Sequence, residues 1–180
     1  MKATGIVRRI DDLGRVVIPK EIRRTMRIRE GDPLEIFTDK DGGVIFKKYS
    51  PIGELSEFAA HISESLHKST DSIAAVCDRD TVIAIAGGAR KELSDARVSG
   101  ELERVMESRV SYRQEQAAGI PVSVSDDKYC VSIAVPVLSE GDVLGCILFI
   151  SPQGSAPQNQ DIKLKLAQTV AGFLGKQMEM

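Results

Sequence analysis

Arg8-Arg9-Ile10-Asp11-Asp12-Leu13-Gly14-Arg15-Val16-Val17-Ile18-Pro19-Lys20-Glu21-Ile22-Arg23-Arg24-Thr25-Met26-Arg27-Ile28-Arg29 decides how the rest of the chain is read. The stretch holds eight basic side chains, seven of them arginine, against the three acids Asp11, Asp12 and Glu21. The arginine bias matters, because a planar guanidinium makes bidentate hydrogen bonds to phosphate and to guanine edges and an ammonium does not. A solvated face with internal ion pairs is the plainer reading of the same charges. The pattern predicts strands over residues 3–10 and 15–18, joined by a turn at Asp11-Asp12-Leu13-Gly14. Pro19 ends the second strand and opens a helix over residues 20–27, with Glu21 in its first turn. Ile22 and Met26 share one helix face, leaving Arg23, Arg24 and Arg27 for the other.

Working outward, Glu30-Gly31-Asp32-Pro33 is a break, and Leu34-Glu35-Ile36-Phe37-Thr38 alternates as a half-buried strand should. Asp39 to Gly43 reads as a hairpin turn before a strand over Val44 to Tyr49, and Ser50-Pro51-Ile52-Gly53 as a linker. Residues 1–50 carry 12 Lys and Arg against 8 Asp and Glu; the remainder carries 12 against 18. The overall charge of −2 hides this split between a basic and an acidic part. A unit of about 50 residues buries little apolar surface, so dimerisation is the expected remedy, with a partner chain supplying strand edges.

The run Thr4-Gly5-Ile6-Val7 through Arg23-Arg24, with Leu13-Gly14-Arg15-Val16-Val17-Ile18-Pro19 at its centre, closely resembles the N-terminal domain of the AbrB family of transition-state regulators. The resemblance covers roughly residues 3–49, including Leu34-Glu35-Ile36 and Lys47-Lys48-Tyr49. It implies a swapped-hairpin β-barrel in which two chains exchange hairpins to make one DNA-binding dimer. It also implies DNA contacts through Arg8, Arg15, Arg23 and Arg24, with Arg9 standing where the family has another basic residue. Such proteins tend to read flexible or A·T-rich duplexes by shape.

Beyond residue 50, Glu54 to Lys68 is helical in pattern, with Leu55, Phe58, Ala59, Ile62 and Leu66 on one face. It is expected to leave the dimer as a linker helix over 51–70, able to pair with its twin. The strand pairs 72–77/81–86 and 129–138/143–151 read as hairpins, a helix is expected over 101–109, and 111–124 reads as strand or loop. A last helix from about 158 to 176 carries Ile162, Leu166, Thr169, Val170, Phe173 and Leu174 as its apolar stripe. The order describes an α+β unit over 71–180, an antiparallel sheet with flanking helices, and resembles a GAF domain. The two resemblances together imply a regulator, activator at some promoters and repressor at others, of gene expression during sporulation. The GAF-like unit would then sense an unknown small molecule or set the oligomer, with a homotetramer expected from the helix stripes.

No ligand is indicated. His61 and His67 read as solvent-facing, Gly87-Gly88 as a turn rather than an anion cradle, and Arg79, Arg90 and Arg97 as surface residues rather than an acid-binding pocket. Cys77, Cys130 and Cys146 stand singly in apolar runs, which argues against disulfides and zinc. No cofactor or metal is expected. No apolar run is long enough to span a bilayer and no signal peptide is evident, so a cytoplasmic protein is expected. Two other functions compete. An antitoxin usually ends in a disordered tail, whereas this chain ends in a patterned helix. An enzyme would need a nucleophile, metal or phosphate motif, and no GxSxG, HExxH or P-loop is present.

Overall fold

A computed structural model describes residues 5–179, which divide between Tyr49 and Ser50 into two units. In the first, a helix spans Lys20–Met26 (α1) and two antiparallel strands span Leu34–Thr38 (β1) and Val44–Lys48 (β2). Their register pairs Ile36 with Phe46, and Asp39 closes the turn by accepting from the Asp41 and Gly43 N–H groups at 3.0 and 2.6 Å. Arg27 adopts the left-handed conformation that stops α1, and the Ile28 N–H bonds back to the Arg23 carbonyl at 2.8 Å.

Among the described residues, the strands expected over 3–10 and 15–18 are not formed. Residues 3 and 4 lie outside the described residues, while 5–10 and 15–18 carry no sheet pairing. Their apolar side chains are uncovered: Val7 is 88%, Ile10 69% and Val17 72% exposed. The β-branched composition suits a strand, but a strand also needs a hydrogen-bonding edge, and this unit's hairpin is paired with itself. The hairpin too leaves Ile36, Phe37, Val44 and Phe46 exposed.

The second unit starts at the segment expected to be a linker. Ser50 caps a short helix, Pro51–Glu54 (α2), by accepting from the Gly53 N–H at 3.0 Å, and Ile52 is fully buried. There follow α3 (Ser56–Thr70), β3 (Ile73–Asp78), β4 (Val82–Ala86), α4 (Arg90–Leu93) and α5 (Gly100–Ser108). Then come β5 (Tyr112–Arg113), β6 (Ile120–Pro121), β7 (Tyr129–Ser139), β8 (Asp142–Pro152) and α6 (Gln160–Gln177). The sheet runs β4-β3-β8-β7-β5, antiparallel throughout, with β6 also on β7. On β8 the side chains alternate between two cores. Ile147 and Phe149 meet Ile52, Ala59, Leu66, Ala167, Ala171 and Leu174 from α2, α3 and α6. Cys146, Leu148 and Ile150 meet Leu93, Leu102 and Met106 from α4 and α5. Coverage on both faces explains why β7 and β8 read as nearly unbroken apolar runs.

The expected stripe of α6 is only partly the face laid on the sheet: Leu174 is buried and Leu166 and Val170 pack against the core, but Ile162, Thr169 and Phe173 do not belong to it. That face is Gln160, Lys163, Ala167, Ala171, Leu174 and Gly175, whereas Ile162 is 60% and Phe173 52% exposed. Small residues let the helix approach. A Cβ on Gly175 would sit 2.1 Å from the Leu138 carbonyl oxygen of β7, while one on Gly172 meets nothing within 4 Å. Gly172→Ala is therefore expected to stabilise by up to about 1 kcal/mol through helix propensity. Gly175→Ala, on the same helix, is expected to destabilise by about 1–3 kcal/mol, because overpacking outweighs that gain. Thermal melting of the two variants checks the opposite signs.

His67 is half-buried rather than solvent-facing. Its Nδ1 lies 3.0 Å from the Ser72 carbonyl oxygen, so Nδ1–H donates there and ties the end of α3 to the start of β3. The ring also fills the space above Gly87, where a Cβ would lie 2.4 Å from Nδ1. His61, Arg90 and Arg97 are exposed and Arg79 is half-buried in the β3–β4 turn. All three cysteines are buried and unbridged, with Cys77 opposite Cys146 across β3 and β8. Burial pushes the Cys146 thiol well above its ordinary range, and the adjoining Cys77 thiol adds to the effect.

Candidate nucleic-acid interface

The basic stretch folds into two exposed pieces. The first is the turn from Asp11 to Arg15. The Asp11 N–H donates to the Arg15 carbonyl and the Gly14 N–H to the Asp11 carbonyl, each at 3.0 Å. Gly14 takes the positive φ, +76°, that such a turn demands. Asp11 Oδ1 accepts from the Leu13 N–H at 3.0 Å and the Arg15 N–H at 2.7 Å, and Oδ2 accepts from Arg15 Nε at 2.7 Å. The Arg15 backbone N–H, and next its guanidinium, hold the Asp11 carboxyl below the usual carboxylate range. The folded-state value is depressed, so the contacts are complete at neutral pH and are lost only as pH falls through the acid range.

The second piece is α1, whose Arg23 and Arg24 are exposed. Arg8 and Arg9 are exposed as well, so all five arginines singled out as DNA contacts are solvent-accessible on the first unit. Not every cation of the unit is so disposed. Lys48 Nζ donates to the Arg27 carbonyl at 3.0 Å and lies 3.6 Å from the buried carboxylate of Asp32, which itself accepts from the Arg29 N–H at 2.8 Å. Lys48 and Asp32 thus brace the end of α1 against β2. Their spacing in the sequence carries no signal of that role, because the contact is tertiary.

In the second unit the core between the sheet and α4–α5 is filled by side chains. Leu93, Val98, Leu102 and Val122 are all fully buried there. Polar contacts also tie β5 to the start of α6, with Arg113 Nε donating to Gln160 Oε1 and Nη1 to Asp161 Oδ1, both at 2.6 Å. Among the described residues no group of His, Cys, Asp and Glu side chains is placed to hold a metal ion, and no helix is long and apolar enough to cross a membrane.

Comparison with known proteins places both units. The transition state regulatory protein AbrB of Bacillus subtilis is 63% identical over 51 residues, which is 28% of this chain and 52% of that protein. A GAF domain of A. aeolicus nlh2, in an inactive state, shares the fold, with a TM-score of 0.52 and 12% identity over 74% of this chain and 87% of that one. The class is therefore a transcription regulator with an AbrB-type N-terminal unit and a GAF-like C-terminal unit. The stage V sporulation protein T of Bacillus subtilis is 48% identical over 180 residues, 99% of each chain. The model of the stage V sporulation protein T C-terminal family, described as a transcription factor, matches residues 54–179. The chain belongs to the stage V sporulation protein T family. Residues 7–54 also match a model described as antidote-toxin recognition MazE, bacterial antitoxin, a likeness confined to the first unit and the start of the second.

Proposed function

We propose that two copies of the chain interlock through residues 1–50 as a swapped-hairpin dimer that binds double-stranded DNA. Arg8, Arg9, Arg15, Arg23 and Arg24 carry the contacts, Arg15, Arg23 and Arg24 foremost. The observation that carries this reading is the coincidence, on one small unit, of exposed arginines with uncovered strand-like apolar residues at Val7, Ile10 and Val17. A second copy offers those residues both hydrogen-bonding edges and apolar cover, and it doubles the basic surface to match two sites on a duplex. The protein acts in the cytoplasm as activator and repressor of sporulation-stage genes, in keeping with the family and with the name of its Bacillus subtilis relative. Gel shift of labelled duplex by the full chain is the test. Retarded DNA at low ionic strength is expected, and unretarded DNA at micromolar protein contradicts the reading.

Residues 51–70 and 71–180 serve assembly, joining two such dimers into a homotetramer. The support is the outward face of the helices. Ile162, Thr169 and Phe173, all exposed, recur at seven- and four-residue spacing on α6. Phe58 of α3 extends the face, with its ring centroid 6.2 Å from that of Phe173. Ile162→Glu combined with Phe173→Glu is expected to halve the mass measured by light scattering. An unchanged mass, or a wild-type chain that is only a dimer, rejects the tetramer.

A further inference from the structure

We propose that Asp11 is a positioning residue for DNA binding, holding the Arg15 guanidinium in the orientation in which it meets the duplex. This rests on the reading of Arg15 as a DNA contact. The turn from Asp11 to Arg15 is exposed, so packing within its own chain does not order it. Beside the two backbone hydrogen bonds that close it, its order comes from one carboxylate, which takes the Leu13 and Arg15 backbone N–H groups on Oδ1 and Arg15 Nε on Oδ2. The backbone bonds fix where the Arg15 side chain starts, and the Nε bond fixes the plane of its guanidinium. That bond uses one of five guanidinium donors. The four on the two Nη groups remain to engage a phosphate or a guanine edge in bidentate fashion.

Two effects of Asp11 on binding oppose each other. Its negative charge repels phosphate, so by charge alone its removal should tighten binding, most at low salt. Its hold on Arg15 spares the ordering of a long side chain on association, so by positioning its removal should weaken binding. The charge effect of an exposed group is small and screened at about 0.15 M salt. The positioning effect is not screened and is worth about two- to tenfold in affinity. Positioning therefore prevails at that ionic strength.

Asp11→Asn separates the two. The amide keeps an oxygen for the Leu13 and Arg15 N–H groups but has no charge to hold the guanidinium. Full-length wild type, Asp11→Asn, Arg15→Ala and the double variant are titrated against one duplex at about 0.15 M salt. We expect Asp11→Asn to weaken binding about two- to tenfold, and the double variant to bind no worse than Arg15→Ala. Asp11→Asn binding as well as or better than wild type overturns the inference. So does a penalty that persists undiminished in the Arg15→Ala background, because a turn that had simply lost its structure would give that result. Arg15→Ala binding like wild type removes the DNA contact at Arg15, and the positioning role with it.

Discussion

Arg15→Ala, Arg23→Ala and Arg24→Ala are each expected to weaken duplex binding by about 1–3 kcal/mol, roughly five- to more than a hundredfold, and the triple variant to abolish detectable binding at physiological salt. The size follows from placement. The three side chains are exposed, on a turn and on the outward side of a short helix, and their removal opens no cavity. The loss therefore appears in affinity and not in folding. In the proposed dimer every substitution is present twice, which pushes single variants toward the upper end of the range. Arg23 and Arg24 are adjacent, so their penalties need not add. Fluorescence anisotropy with a labelled duplex measures all four variants. A triple variant that binds within twofold of wild type, with an unchanged circular dichroism spectrum, would remove these residues from the interface.

The largest effect on stability is expected at Phe149→Ala. Phe149 is fully buried on β8, between the sheet and the layer made by α2, α3 and α6. It is the largest of the fully buried side chains among the described residues, and its core partners Ile133, Ile147, Ala167 and Leu174 sit on three backbone segments, β7, β8 and α6, that cannot all move inward. Truncation therefore leaves a cavity and costs about 3–5 kcal/mol. Against a total stability of about 5–15 kcal/mol for a domain, that lowers the melting temperature by roughly 10–20 °C. Calorimetry of the full chain checks it. Melting within a degree or two of wild type would mean that Phe149 is not central to the core.

Much of the second unit was legible from pattern alone, because its elements bury their faces within the chain. Val143 to Ile150 is apolar on both faces and lies between two core layers, so its identity as an interior strand survives any local ambiguity. The misread features share a cause. Hydrophobic ranking picks out Ile162 and Phe173 on α6 and passes over Ala167, Ala171 and Gly175, yet close helix–sheet packing selects the small residues. Ser50 to Gly53 has linker composition, but Ile52 is buried in a core contributed by residues far along the chain. His67 looks like a helix-surface residue until β3 and Gly87 are folded against it.

The first unit is the reverse case. Its arginines and its turn were readable from residue type, and Arg8, Arg9, Arg15, Arg23 and Arg24 are exposed. The strands expected over 3–10 and 15–18 are not formed among the described residues, since strand propensity describes a fit to a neighbouring edge that the hairpin does not lend. The roles of Asp11 and of the Lys48–Asp32 pair were not visible at all. Acids inside a basic stretch read only as charge until the hydrogen bonds show which cation each one holds.

A paired arginine surface that grips the phosphates of a double helix, as proposed, makes the affinity of the full chain for one duplex depend on salt, which a salt series measures. A straight fall of log K against log salt is predicted, steepened by about 0.9 for every phosphate neutralised and visibly flattened in the triple arginine variant. An affinity indifferent to salt, or a slope the variant shares with wild type, would contradict it.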